Sequence, residues 1–472
     1  MRRSRLISGF AVGVTLVAIA LVRPDRPFLI GVGAVAHDLC SAAFVSGLDP
    51  KQVFADSLAP RAGLRLIAPA ITYDVDRGAH AVTARLAGVL RQRAIYYQGL
   101  GCVLIHGAEP QGLPSPAELA ALRPDAPPLL PEIAGPAVVA PMDQKLKSAL
   151  DHAFEEPEQP PFRRTKAIVI VHDGRVIAER YAPGWTVETP ILGFSMTKSV
   201  INAFVGILVR QGRLQTDARA PVPAWQTPGD PRRLITIENL MRMTSGLDLD
   251  EEGAGFANRS DRMVYLARDM TEFAEKAKLI VTPGTRWAYS SASTHILAQI
   301  IRDTVGGRAI DALGFAQREL FGPLGMRSAV MEVDATGTMV GSHYMLASAR
   351  DWARFGLMYL DDGTAGGRRI LPEGWIEFSA RPTLGTEYGA GFWTNRRNAA
   401  QARAPVNGSM PRDVFFAAGN LGQRIFILPS QRLVIVRLGD ATGPGNDARG
   451  LIRLVREVIG AVGNETAAKQ RL

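Results

Sequence analysis

Cysteine is almost missing from this chain: Cys40 and Cys102 are the two in 472 residues. Histidine is little commoner, with seven residues, and they are dispersed without the clustered spacing of a zinc hydrolase. Neither count supplies the ligands of a metal site, so no metal and no cofactor is expected. Basic residues outnumber acidic ones, 54 to 45, for a net charge of +9. The arginines are scattered, however, and no basic run interleaved with aromatics occurs, so the charge reads as solvated surface and no nucleic-acid partner is expected. Repeats are absent. With 47% hydrophobic and 21% charged residues, the composition is that of a globular chain long enough to bury a large core.

The N-terminus is informative. Met1-Arg2-Arg3-Ser4-Arg5 precedes an uncharged, mostly apolar run from Leu6 to Val22, followed by Arg23-Pro24-Asp25-Arg26. Basic residues followed by an apolar run describe a secretory signal, with Ala18-Ile19-Ala20 as a cleavage site. Uncut, the run is just long enough to span a bilayer and anchor the chain through residues 6–22. Either outcome delivers the remainder outside the cytoplasm, to a bacterial periplasm, soluble or anchored to the inner membrane. In an exported chain an even pair of cysteines reads as a disulfide, Cys40–Cys102.

Residues 1–24 are thus signal or anchor. Residues 25–113 read as a small separate unit, with strand-like Val82–Leu86 and Arg93–Tyr97 and no visible chemistry. Eight prolines between Pro114 and Pro141 read as an extended linker over 114–141. Structure resumes with a helix over Met142–Phe154 and a hairpin, Lys166–His172 and Arg175–Tyr181, turned by Asp173-Gly174, the strongest short hairpin signal. A broken, mostly helical stretch spans Leu214 to about Gly341. Ala347–Leu360 is a further helix, strands follow at Gly391–Thr394, Arg424–Leu428 and Leu433–Arg437, and an amphipathic helix over Asp447–Val462 closes a 142–462 domain before a 463–472 tail. Helix, strands, helical insertion, strands and helix predict an α+β fold, an antiparallel sheet flanked by helices.

Within that domain Gly193-Phe194-Ser195-Met196-Thr197-Lys198-Ser199 opens an apolar helical pattern that stops at Gln211-Gly212. Ser195 falls at a helix N-terminus, where first-turn N–H groups lack intrahelical partners and can hold developing negative charge. Lys198 lies three residues on, on the same face. Kept from water, a lysine loses its charge more easily and can take the serine's proton. No acidic residue occurs between Ile191 and Leu214 to hold that charge in place. Spacing alone equally fits a serine cap followed by a surface lysine. An α/β-hydrolase is excluded, because the residue two after Ser195 is Thr197 and not glycine. Two further segments share the chemistry. Trp287-Ala288-Tyr289-Ser290-Ser291 places an aromatic hydroxyl and two small hydroxyls at a loop-to-helix junction. Phe416 to Gln423 is glycine-rich and leads into a strand.

These segments, with Met243-Thr244-Ser245-Gly246-Leu247, Pro283-Gly284-Thr285 and Ala349–Gly356, resemble in order the serine β-lactamase/penicillin-binding-protein superfamily, in its esterase and 6-aminohexanoate-dimer hydrolase branch. The resemblance covers roughly Thr165 to Gly439. It implies Ser195 as the acylated nucleophile, Lys198 as its activating base and Tyr289 as a proton relay to the leaving group. It also implies an oxyanion hole from the N–H groups of Ser195 and Asn420, with Ser291, Gly419 and Asp250 contacting a small ester or amide substrate. The loop after Gly246, with Asp248, Asp250 and Glu251, is expected to frame substrate access. Two departures stand out. Ser291 occupies the position of an amide side chain in the β-lactamases, and Ala417-Ala418-Gly419 replaces a motif whose cation and hydroxyl bind the substrate carboxylate. β-Lactam hydrolysis and D,D-carboxypeptidase activity are therefore secondary alternatives, as is a non-catalytic binding or sensor protein. His295 and His343 read as helix-packed and loop residues. The oligomeric state is not legible.

Overall fold

In the computed structural model, which describes residues 25–122, 126–249, 251, 258–396 and 410–469, the first element is a helix that the sequence reading lacked, Arg26–Cys40. Pro27 starts it without loss, since a first-turn N–H has no intrahelical partner. Its apolar residues lie on every side, and a helix of that kind has to be covered. Every residue from Ile30 to Cys40 is buried, and although Arg26–Val45 is long and apolar enough to cross a membrane, most of it is packed inside the protein. The expected signal or anchor segment, residues 1–24, lies outside the described residues.

Against this helix lies an antiparallel meander of β1 (Ile71–Asp76), β2 (Ala81–Leu86), β3 (Leu90–Tyr97) and β4 (Gly101–Ile105). Cys102 in β4 is bonded to Cys40 at the end of the helix, with Cα atoms 6.1 Å apart. The unit is not separate, contrary to the sequence reading. Ile30, Val35, Leu104 and Val103 belong to the same apolar cluster as Val200, Phe204 and Ile301, because a helix-and-meander layer of this size cannot cover both its faces alone.

From Leu129 to Val139 the expected 114–141 linker is likewise bound down. The Leu129 and Leu130 N–H groups donate to Pro323 O, and Ile133 O accepts from Val176 N. Val139 N donates to Glu179 Oε1 at 2.8 Å, and Arg350 holds the Gly135 and Ala137 carbonyls. Proline removes donors but leaves carbonyls, and these serve as acceptors along an otherwise open sheet edge.

That edge belongs to β6 (Arg175–Tyr181), joined to β5 (Thr165–His172) by Asp173 and Gly174 at φ 47° and 79°, the paired positive φ of a two-residue primed turn. The central antiparallel sheet also takes β12 (Trp393–Thr394), β13 (Phe415–Gly419), β14 (Gln423–Leu428) and β15 (Leu433–Gly439), in the order β12-β13-β14-β15-β5-β6. The first and last parts of the domain meet where β15 pairs β5. One sheet face packs on the helix Ala349–Leu360. The other carries the helices Gln144–Phe154 and Ala448–Lys469, which run together over a second apolar cluster of Ile168, Ile170, Phe426 and Ile435. The closing helix continues past the expected end at Val462, through Lys469. Two small pieces complete the strands: β7 (Ile191–Leu192), β8 (Val330–Met331) and β9 (Met345–Ala347) in the order β7-β9-β8, and the hairpin β10 (Thr364–Ala365) with β11 (Arg368–Arg369). The helical insertion lies between β7 and β8 and leaves a cleft against the β13 end of the sheet. The α+β class stands: an antiparallel sheet flanked by helices.

Candidate active site

Ser195 sits in a 3-10 turn, Phe194–Met196, that runs into the helix Thr197–Arg210. Phe194 adopts φ 48°, a left-handed backbone that an L-residue holds only where its surroundings enforce it. Here β13 presses on the turn. A Cβ on Gly419 would lie 2.2 Å from Gly193 O, and a Cβ on Gly193 would lie 2.5 Å from the Trp352 ring, so both positions require glycine. The helix is fixed from its far face by Asn202. Asn202 donates to Ala390 O at 2.7 Å and accepts from Tyr359 Oη at 2.5 Å and Trp375 Nε1 at 2.9 Å.

Lys198 is buried at 2% exposure. Its Nζ donates to Ser195 Oγ at 2.9 Å, Ser291 Oγ at 3.0 Å and the Ser342 carbonyl at 3.2 Å. Each partner is neutral, and among the described residues no carboxylate lies within ion-pair distance of Nζ. One acid does approach from elsewhere in the fold. Glu251 Oε1 accepts the backbone N–H of Ser291 at 2.5 Å, one hydrogen bond away from the lysine.

Tyr289 lies beside the pair but not in line with it. Its ring centroid is 4.7 Å from Lys198 Nζ, a cation–π distance, and its hydroxyl has no hydrogen-bond partner among the described residues. Three aromatic rings hold it: Trp287, Tyr388 and Trp393, with centroids 6.4, 5.7 and 5.8 Å away. Ser290 caps the helix Ser291–Val305 by accepting from Ser293 N, which fixes Ser291 on the first turn, under the lysine. The Ser291 side chain thus binds Lys198; it does not line the cleft in the substrate-binding role expected of it. Asn420 follows β13 in a short 3-10 turn, where Leu421 takes φ 57°. By position, the Ser195 and Asn420 N–H groups fall in first turns that give them no intrahelical acceptor.

The cleft, about 1060 Å³, is lined by Ser195, Tyr289, Gly419 and Asn420 together with Glu251, Asp261, His343 and Trp393. Asp250 lies outside the described residues. Asp248 pairs with Arg259 at 2.5 Å, leaving Glu251 as the described acid of that loop on the cleft. Burial, with Glu251 adding repulsion, raises Asp261 to about 6. His343, which sequence reasoning set aside, lines the cleft with Nδ1 3.1 Å from Ser342 Oγ. Burial, and then the Lys198 charge, pull it down to about 3, so it stays neutral near pH 7. His295 is fully buried, 3.7 Å from Asp334, and is a packing residue. The parts missed in the sequence, Ser342, His343, Trp393 and Arg424, carry no local signal. They reach the site from three different loops and strands. No group of metal-holding side chains occurs among the described residues.

The sequence model of the β-lactamase family matches residues 157–459. A 6-aminohexanoate-dimer hydrolase of Paenarthrobacter ureafaciens is 27% identical over 296 residues, covering 59% of this chain and 74% of that protein. Among solved structures, a Bacillus anthracis protein described as a candidate 6-aminohexanoate-dimer hydrolase superposes with a TM-score of 0.55 at 23% identity, over 73% of this chain and 89% of that one. A family VIII carboxylesterase superposes with a TM-score of 0.52 at 18% identity, over 70% and 100%. Both structural likenesses speak for the fold.

Proposed function

The chain belongs to the β-lactamase family of serine hydrolases, and from that premise we propose that it cleaves an ester or linear amide through an acyl-enzyme on Ser195, in the manner of the esterase and 6-aminohexanoate-dimer hydrolase relatives. The observation that carries this reading is the buried Lys198 Nζ, 2.9 Å from Ser195 Oγ and surrounded by neutral groups.

The unprotonated amine takes the Ser195 proton as Oγ attacks the carbonyl carbon. The tetrahedral oxyanion is held by the N–H groups of Ser195 and Asn420, in a site where fixed dipoles need no reorganisation. Collapse breaks the bond to the leaving group, which receives a proton through the Tyr289 hydroxyl. That hydroxyl is otherwise unoccupied among the described residues, and with Lys198 Nζ 4.7 Å from the ring centroid the proton returns to it through a bridging water or the substrate. Water then attacks the acyl carbon by the same steps in reverse roles, releasing the acid and free Ser195. Export to an oxidising compartment fits the Cys40–Cys102 bond and the basic-then-apolar start of the chain.

The test is intact-protein mass spectrometry after brief mixing with a slow ester, beside fluorophosphonate labelling. An acyl adduct mapping to Ser195, lost in Ser195→Ala, is expected. Hydrolysis without any Ser195 adduct sinks the reading. Tyr289→Phe is expected to cost about 10²-fold, more for amides than for aryl esters, whose leaving groups depart unprotonated. Rapid turnover of a chromogenic cephalosporin would instead favour the β-lactamase alternative.

A further inference from the structure

The family match begins at residue 157, yet part of the cleft wall comes from before it. Residues 60–65, in the turns between the N-terminal helices and β1, line the same cavity as Ser195. Arg61 anchors them. Its guanidinium pairs with Asp38 at 2.6 Å and lies 5.5 Å from the centroid of the Phe194 ring, the strained residue that presents Ser195. One turn on, Arg65 is exposed to the cavity and has no carboxylate partner among the described residues.

Two more guanidiniums share the cavity. Arg164 spends its Nη1 on the backbone carbonyl of Asp56. Arg424, which sits opposite Ala418 in the β13–β14 pair, donates Nη1 to the Gly419 and Gln423 carbonyls at 3.0 and 2.8 Å. Its Nε and Nη2 have no hydrogen-bond partner among the described residues. Burial, with Arg437 adding repulsion, pulls Arg424 down to about 10, so it remains a cation at neutral pH. Among the described residues none of the three guanidiniums has a carboxylate partner (Glu156 takes only the Arg164 backbone N–H), although elsewhere in the protein arginine after arginine finds one. Unneutralised charge lining a low-dielectric cleft focuses its field there, and the guanidinium fork matches a carboxylate. Glu251 and Asp261 line the same cavity and disfavour a ligand of high negative charge.

We propose that the N-terminal unit completes the substrate site, and that Arg65, Arg164 and Arg424 form an anion subsite, so that the substrates are esters or amides bearing one carboxylate away from the reacting carbonyl. This rests on the acyl-transfer reading above. It also supplies, from a different place, the cationic partner whose usual motif is replaced by Ala417-Ala418-Gly419.

Two ester pairs test it on the full chain. Nitrophenyl hydrogen glutarate against nitrophenyl butyrate places the carboxylate on the acyl side, and 3-acetoxybenzoate against phenyl acetate places it on the leaving group. In at least one pair kcat/KM is expected to favour the carboxylate member about tenfold, and the preference to shrink in 0.5 M salt. Arg65→Glu should lower that ratio at least threefold, through KM, and Arg424→Gln about tenfold. Should Arg424→Gln fail to fold, Arg65→Glu, at an exposed side chain, decides the matter. No charge preference in either pair, or a preference that Arg65→Glu leaves untouched, overturns the proposal. Fluorophosphonate labelling of the same samples separates the two readings. Labelled Ser195 without charge preference removes only the anion subsite, whereas unlabelled, inactive protein removes the acyl-transfer reading beneath it.

Discussion

Two lysines lie near this cleft, Lys198 buried and Lys166 partly so, and their surroundings differ in kind. Lys198 is held by two hydroxyls and a carbonyl. Lys166, in β5, is held by Asp440 at 2.6 Å, within a seam under the N-terminal unit where cation and carboxylate alternate. There Asp38 pairs with Arg61, His37 Nε2 lies 3.4 Å from Glu332 Oε2, and Glu332 also accepts from Ser41 Oγ and Cys102 N, each at 2.8 Å. Burial pulls Lys166 below its ordinary value and the Asp440 charge pulls it back. Burial alone therefore does not make a lysine a base. What distinguishes Lys198 is a shell without an acid: its three hydrogen-bond partners are uncharged, whereas Lys166 is paired with a buried carboxylate.

Exchanging the consequences of the two lysines gives the largest expected effect. Lys198→Ala should lower acylation by about 10² to 10⁴-fold and leave the unfolding midpoint nearly unchanged. Lys166→Ala should do the opposite, costing about 3 kcal/mol in urea unfolding because Asp440 is left buried without its partner. Equal losses of activity and stability in both variants would dissolve the contrast.

Next is the disulfide within the N-terminal unit, above the seam. Cys40 and Cys102 are 62 residues apart, and in the chain-entropy account closing such a loop contributes roughly 4 kcal/mol. Thiol counting on unreduced, denatured protein should find no free thiol. Cys40→Ala/Cys102→Ala should lower stability by about that amount and, by loosening residues 60–65 on Arg61, raise KM more than it lowers kcat.

The smallest effect concerns pH. His343 and His106 are depressed in the folded protein, to about 3 and about 4, each chiefly by burial. Between those values and the ordinary 6.5 the two histidines bind more protons in the unfolded chain than in the folded one, so their contribution to stability is lost progressively as pH drops below about 6.5, against the opposite contribution of the raised Asp261. His343→Gln should flatten that decline in a chemical-denaturation series from pH 7 to 4.5. An unchanged slope would show that the histidine beside Lys198 takes up its proton without resistance.

Much of the catalytic unit was legible because its signals are local. Asp-Gly between two β-rich runs can close only a tight hairpin, and the apolar spacing after Ser195 can bury only one way. A three-residue separation then places Lys198 beside the serine in any helix, so sequence alone brought those two side chains together. The N-terminal helix was missed because its glycine-bearing apolar run shows neither periodicity nor caps; it is buried on all sides, and such a run has no polar face to report. The same limit governs the rest of the site. Ser291 under the lysine, the Ser342 carbonyl, His343 and the guanidiniums of Arg65, Arg164 and Arg424 come from segments tens to hundreds of residues apart. Their proximity follows from β15 closing on β5 and from the N-terminal layer sharing the domain's apolar core. Sequence fixes what a helix or hairpin must do within a few residues. Which unpaired charges share a cleft is decided by long-range packing, where the free energy lies in buried apolar surface that takes no account of chain position.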